Sequence, residues 1–122
     1  MALILIADDT PEIVTMLHDM LAMRGHQVAV ANDGVEMIEK AKTLRPQLIV
    51  ADIMMPGAYG SAAYRSLQDD PYAKNIPVVF LTALSPEQAK GVVPDSPRVR
   101  ILHKPLDMTA LFQALTELLS PA

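Results

Sequence analysis

Leu3-Ile4-Leu5-Ile6-Ala7-Asp8-Asp9-Thr10-Pro11 is the stretch whose reading decides the fold. An apolar run with no polar alternation is what a strand covered on both faces requires. Two aspartates end it. Thr10 is then placed to cap a helix and Pro11 to open it, where the missing N–H costs nothing. Ile13, Leu17, Met20 and Leu21 follow at helical spacing, and Gly25 supplies a stop. A strand buried on both faces that runs straight into an amphipathic helix is the first half of a βαβ unit.

The same alternation repeats along the chain. Gln27 to Ala31 reads as a second strand, and Asn32-Asp33-Gly34 as a turn that also caps. Val35, Ile38 and Ala41 mark the next helix, which ends before Pro46. Leu48-Ile49-Val50-Ala51 is the third strand, with Asp52 at its C-terminal end. A weak helix is expected near Ser61 to Gln68, a fourth strand over Pro77 to Thr82, and a fifth over Arg100 to Lys104. In the last helix Leu111, Phe112, Leu115, Leu118 and Leu119 share one face. The segment Ser85 to Val99 holds Pro86, Pro94, Pro97 and Gly91, so irregular structure is expected where a fourth helix would otherwise form. Repeated strand–helix alternation predicts one α/β domain over residues 1–122, a parallel sheet with helices on both faces.

Composition agrees and removes several function classes. The chain has 122 residues, 51% of them apolar, enough for a core without staples. It has no cysteine, hence no disulfide framework, thiolate metal site or thiol nucleophile. Its formal charge is −4 with no Lys/Arg run, so direct nucleic-acid binding is not expected. No apolar stretch reaches bilayer length, and the opening Met1 to Ala7 lacks the basic flank of a signal peptide. A cytoplasmic protein without membrane contact is the expectation.

Ligands of an open parallel sheet bind at the carboxyl ends of its strands. Asp8 and Asp9 after the first strand, Asp52 after the third, Thr82 after the fourth and Lys104 after the fifth should therefore share one crevice. Carboxylates so gathered raise one another's pKa unless a cation is present. Mg²⁺ suits them, because it takes a few carboxylate contacts and keeps waters that a phosphate can replace. Lys104 adds a mobile point charge and Thr82 a short hydroxyl donor. Together they meet the needs of in-line phosphoryl transfer to a carboxylate.

Asp8-Asp9, then Asp52-Ile53-Met54-Met55-Pro56 with Gly60 downstream, then Thr82-Ala83, then Lys104-Pro105, resemble the signature of receiver domains in two-component signalling. The resemblance runs from Met1 to the final helix. It implies a flavodoxin-like fold, a doubly wound three-layer sandwich whose five parallel strands have the order 2-1-3-4-5. It implies that Asp52 accepts a phosphoryl group from a histidine kinase or phosphotransfer protein. Asp9, Asp52, the Met54 backbone carbonyl and Asp8 (largely through water) would hold Mg²⁺. Thr82 and Lys104 would bind the phosphoryl oxygens, with a cis bond before Pro105 aiming Lys104. Such a chain is a phosphoacceptor that promotes its own phosphorylation and dephosphorylation, not an enzyme turning over an external substrate. Its output partner is not specified by these motifs.

Two departures bear on output. Members of this family typically carry an aromatic residue three positions before the strand-five lysine; here Ile101 stands there, stiff and small. The proline-rich segment replaces a regular fourth helix. Both favour an alternative, a phosphorylation-independent interaction module on the same fold. Met54 and Leu84, two residues past Asp52 and Thr82, are apolar and are expected to hinder the water that attacks an acyl phosphate. A haloacid-dehalogenase-type phosphatase would need an acid where Met54 stands. A flavodoxin would need a Thr/Ser/Gly-rich cradle where Asp8-Asp9-Thr10-Pro11 repels anions. His18, His26 and His103 have no metal spacing and read as surface or half-buried residues, and the methionines as core filler.

Overall fold

Strand β1 (Leu3–Ala7) lies at the centre of the chain's logic, with β2 (Gln27–Ala31) on one side and β3 (Leu48–Asp52) on the other. The computed structural model describes residues 2–53, 65–83, 85, 87–88, 98–104 and 107–119. Beyond β3 come β4 (Val78–Thr82) and β5 (Val99–His103), all parallel, in the order β2-β1-β3-β4-β5. The expected order is therefore present. The fourth strand begins one residue later than predicted, because Pro77 has no N–H to give a ladder. The fifth is displaced by one residue toward the N-terminus, and Lys104 follows it rather than ending it.

Helix α1 (Pro11–Met23) and helix α3 (Met108–Leu119) cover one face of the sheet, and α2 (Gly34–Leu44) the other. Pleating sorts the strand residues between them. Ile4, Ile6, Leu48, Val50, Val79 and Leu81 pack with Leu17, Leu21, Leu111 and Leu115. Leu5, Ala7, Ile49, Ala51, Val78 and Phe80 pack with Met37 and Ala41. These strands, buried on both faces, explain the unbroken apolar runs. Each fully buried Leu or Ile contributes about 1.5–3 kcal/mol by leaving water.

The helix ends differ from expectation in detail. Thr10 occupies the N-cap position of α1, yet its side chain makes no capping bond; instead Thr10 N–H donates to Asp8 Oδ1 at 2.8 Å. Gly25 follows α1 with φ +87°, the left-handed turn the stop required. Asp33 caps α2 through Glu36 N–H at 2.8 Å, and Glu36 reaches back to Asn32 N–H. Of the residues expected on the core face of α2, Ala41 is buried and Ile38 packs on the core, but Val35 is exposed, and Gly34 and Met37 are buried as well. Met37 is core, but Met23 and Met16 are exposed, so the methionines are not uniformly filler.

The predicted helix near Ser61 to Gln68 is helical over residues 65–67, its earlier part lying outside the described residues. Most of Ser85 to Val99 also lies outside them. Its start shows a reciprocal cap between Ser85 and Gln88. A 3₁₀ turn at Ala73–Asn75, not foreseen, is capped by Asp70, which accepts from Ala73 N–H at 2.7 Å and Tyr72 N–H at 3.0 Å. No helix among the described residues is long and apolar enough to cross a membrane.

Candidate functional site

The carboxyl ends of β1, β3, β4 and β5 carry Asp8 and Asp9, Asp52, Thr82 and Lys104, whereas Ile101 lies within β5. Asp8 directly follows β1, and its N–H donates to the Ala31 carbonyl at the end of β2. Asp52 is the last residue of β3, and Ile53 N–H hooks onto the Leu81 carbonyl at 3.1 Å. Thr82 ends β4, fully buried, and its carbonyl accepts from Lys104 N–H at 2.7 Å. Backbone pairing between neighbouring strand ends thus fixes the spacing of the side chains above them. Met54 and Pro105 lie outside the described residues.

Carboxylate oxygens of Asp8, Asp9 and Asp52 lie within 4.8 Å of one another. Asp8 and Asp52 are buried; Asp9 is exposed and opens the cluster to solvent. Lys104 Nζ is 3.1 Å from Asp52 Oδ2. One ammonium among three carboxylates leaves the site negative. Asp8 carries the consequence: burial raises its pKa, the Thr10 N–H bond works against that, and the Asp52 charge raises it further.

Asp8 Oδ2 is buried and has no hydrogen-bond partner. Such an atom is costly unless something satisfies it. Clustered hard oxygen donors, one orphaned and one open to water, fit a small divalent cation better than they fit each other. A cavity of about 200 Å³ beside the cluster, lined by Asp9, Pro11, Val14 and Asn32 among others, gives access from the α1 side.

Ile101, the atypical position, is half-buried, pairs in register with Phe80 and packs against the α2-side core. His103 is exposed next to Thr82 in register, and His18 pairs with Asp19 at the surface. His26 is half-buried and accepts Ala2 N–H on Nδ1. Sequence alone does not distinguish Asp8 as the carboxylate with a buried, unpartnered oxygen. The adjacency of two aspartates was visible, but which one turns inward depends on where β1 ends.

The sequence model for the response regulator receiver domain matches residues 4–116. The chain is 34% identical over 120 residues to Protein PilH of Pseudomonas aeruginosa, covering 98% of this chain and 99% of that protein. It is 35% identical over 117 residues to the response regulator PleD of Caulobacter vibrioides; that match covers 96% of this chain but spans only 26% of PleD. Among solved structures it resembles the chemotaxis response regulator CheY4 of Vibrio cholerae, with a TM-score of 0.84 and 30% identity over 97% of this chain and 98% of that one. A signal receiver domain of a histidine kinase from Syntrophus aciditrophicus gives a TM-score of 0.86 and 30% identity, over 98% of this chain and 90% of that one.

Proposed function

The chain belongs to the response regulator receiver domain family, and on that premise we propose that it is a phosphorylation-dependent switch whose acceptor is Asp52. The observation that carries this reading is the acidic cluster itself: Asp8, Asp9 and Asp52 within 4.8 Å, with Lys104 on Asp52 and one Asp8 oxygen without a partner. The donor is a phosphohistidine of a histidine kinase or phosphotransfer protein. An Asp52 oxygen forms the new P–O bond, the P–N bond breaks, and the imidazole leaves with the electron pair.

Asp9 and Asp52, with Asp8 largely through water and the Met54 carbonyl, would hold Mg²⁺. When bound there, the ion supplies positive charge against both the carboxylates and the incoming phosphoryl group. Lys104 pairs with Asp52 before transfer and is placed to follow a phosphoryl oxygen afterwards. The Thr82 hydroxyl donates to another. Phosphorylation then shifts a two-state equilibrium, and an output partner binds one state better. The reading places the protein in the cytoplasm, where such kinases present their phosphohistidine, with no nucleic-acid contact of its own.

Ile101 favours a second reading, a phosphorylation-independent interaction module, because a stiff side chain packed on the core is poorly suited to a rotamer switch. Beryllofluoride with Mg²⁺, followed by amide NMR, tests the two. The switch predicts saturable shifts around Asp52 and Thr82 that extend along β5. No shifts on the folded protein would favour the module.

A further inference from the structure

Helix α1 sorts its apolar residues by chemistry. Ile13, Val14, Leu17 and Leu21 pack with the sheet, and no methionine is among them. The methionines of the helix, Met16, Met20 and Met23, belong to neither core cluster and pack against neither. Met20 is half-buried and Met16 is 38% exposed. Met23 is 83% exposed, more than any other large apolar residue among those described. Burial therefore does not account for these side chains. Helix propensity does not either, since leucine serves a helix as well as methionine does.

Spacing gathers the thioethers on one face. Residues three and four apart on a helix are neighbours, with Cβ atoms about 5–6 Å apart. Met20 therefore adjoins both Met16 and Met23. Methionine is unbranched and freely rotatable, so the sulfurs can converge over Met20. His18 stands two residues from Met16 and from Met20, faces elsewhere, and pairs with Asp19 at 3.3 Å. The chain has no cysteine, so no thiolate competes for a soft ion.

The charges around this face favour a cation. Thioethers are neutral, and a bound cation needs negative charge close by. Asp19 adjoins both Met16 and Met23 on the helix surface, and Glu12 adjoins Met16. The guanidinium of Arg24, which follows the helix, is held over the Phe112 ring of α3, 3.5 Å from its centroid.

We propose that Met16, Met20 and Met23 form a thioether site for a soft monovalent metal ion of the Cu⁺ type. Thioether ligands select such ions, whereas Mg²⁺ requires oxygen donors. The site is therefore distinct in ligand chemistry from the acidic crevice.

Ag⁺, a stand-in for Cu⁺ that air does not oxidise, tests this on the full chain in chloride-free buffer, with the methionine methyl groups followed by NMR. Ag⁺ should shift the Met16, Met20 and Met23 methyls along one saturable curve. The Met37 methyl, sealed in the core, should stay in place. Zn²⁺ at the same concentrations should leave all of them unmoved. Met20→Leu, with an unchanged melting temperature, should weaken Ag⁺ binding at Met16 and Met23 by at least ~10-fold, since the shared donor is gone. The proposal is overturned if Ag⁺ moves the three methyls with separate affinities or not at all. It is equally overturned if Zn²⁺ moves them as Ag⁺ does, or if folded Met20→Leu binds Ag⁺ as the wild type does.

Discussion

Lys104 Nζ reaches over the intervening strand β4 to stand 3.1 Å from Asp52 Oδ2, joining the ends of β5 and β3. The pair is largely sheltered, with side chains 26% and 8% exposed, so solvent screens it only in part. Because Asp8 and Asp9 share the same crevice, one ammonium cannot balance the site. The arrangement is stable enough to fold and still short of positive charge, which is the condition a phosphoacceptor needs.

Replacing Lys104 removes the only ammonium held on Asp52 among the described residues. Lys104→Met should slow labelling by acetyl phosphate by about 100-fold, the loss typical of one preorganised charge donor. It should also cost about 3 kcal/mol of stability, since a buried Asp52 then loses its ammonium while crowded by two other carboxylates. Lys104→Arg should not restore the rate, because a planar fork cannot follow a phosphoryl oxygen as a point charge does. Time courses of the phosphorylated mass, beside thermal melts, check both effects.

Asp8 should behave oppositely. Its orphaned, buried oxygen destabilises the metal-free protein, so Asp8→Asn should raise the melting temperature without divalent ions, by roughly 4 °C if about 1 kcal/mol is relieved. Wild type should gain about 1.4 kcal/mol from Mg²⁺ at ten times its dissociation constant. The variant should gain much less. Equal Mg²⁺ stabilisation in both proteins would remove Asp8 from the metal site.

His26 sets a pH dependence away from the acidic crevice. Burial lowers its pKa, with the Arg24 charge adding to the effect, and its Nδ1 accepts the Ala2 N–H only while unprotonated. The unfolded chain takes up this proton near the ordinary value of 6.5, while the folded chain resists it. The His26 contribution is therefore complete above about pH 6.5 and declines as pH falls toward the depressed folded value. Melting curves between pH 7.5 and about pH 5 should show this slope, and His26→Gln should flatten it.

Met54 and Leu84, both outside the described residues, are expected to bear on how long a phosphorylated state lasts. Polar replacements at these positions should admit the attacking water and speed dephosphorylation by about 10-fold, a barrier change of about 1.4 kcal/mol. Decay at the wild-type rate in Met54→Asn and Leu84→Asn would leave their apolar character without a kinetic role.

Most of the fold was legible because parallel strands buried on both faces leave uninterrupted apolar runs, as in Leu3–Ala7 and Leu48–Ala51. Asp8, Asp9, Asp52, Thr82 and Lys104 were legible for a related reason: each polar residue breaks or ends such a run, and strand ends converge. What periodicity could not supply was tertiary detail. Thr10 has the residue type of a cap and stands at the N-cap position, but its side chain makes no capping bond, and its own N–H donates to Asp8 in the turn before the helix. Ala41 and Ile38 meet the sheet as expected, but Val35, which has the right character for a core position, is exposed, and Met37 is buried on that face. The Asp70-capped turn and the Arg45 conformation follow from local side chain–backbone bonds that hydrophobic spacing does not register.

Phosphorylation of Asp52 is tested by intact-mass analysis after incubation with acetyl phosphate and Mg²⁺. The wild type should gain one phosphoryl group, absent from folded Asp52→Asn and from a chelator-treated control. A folded wild type that gains no mass, or an Asp52→Asn protein that gains the same mass, would contradict it.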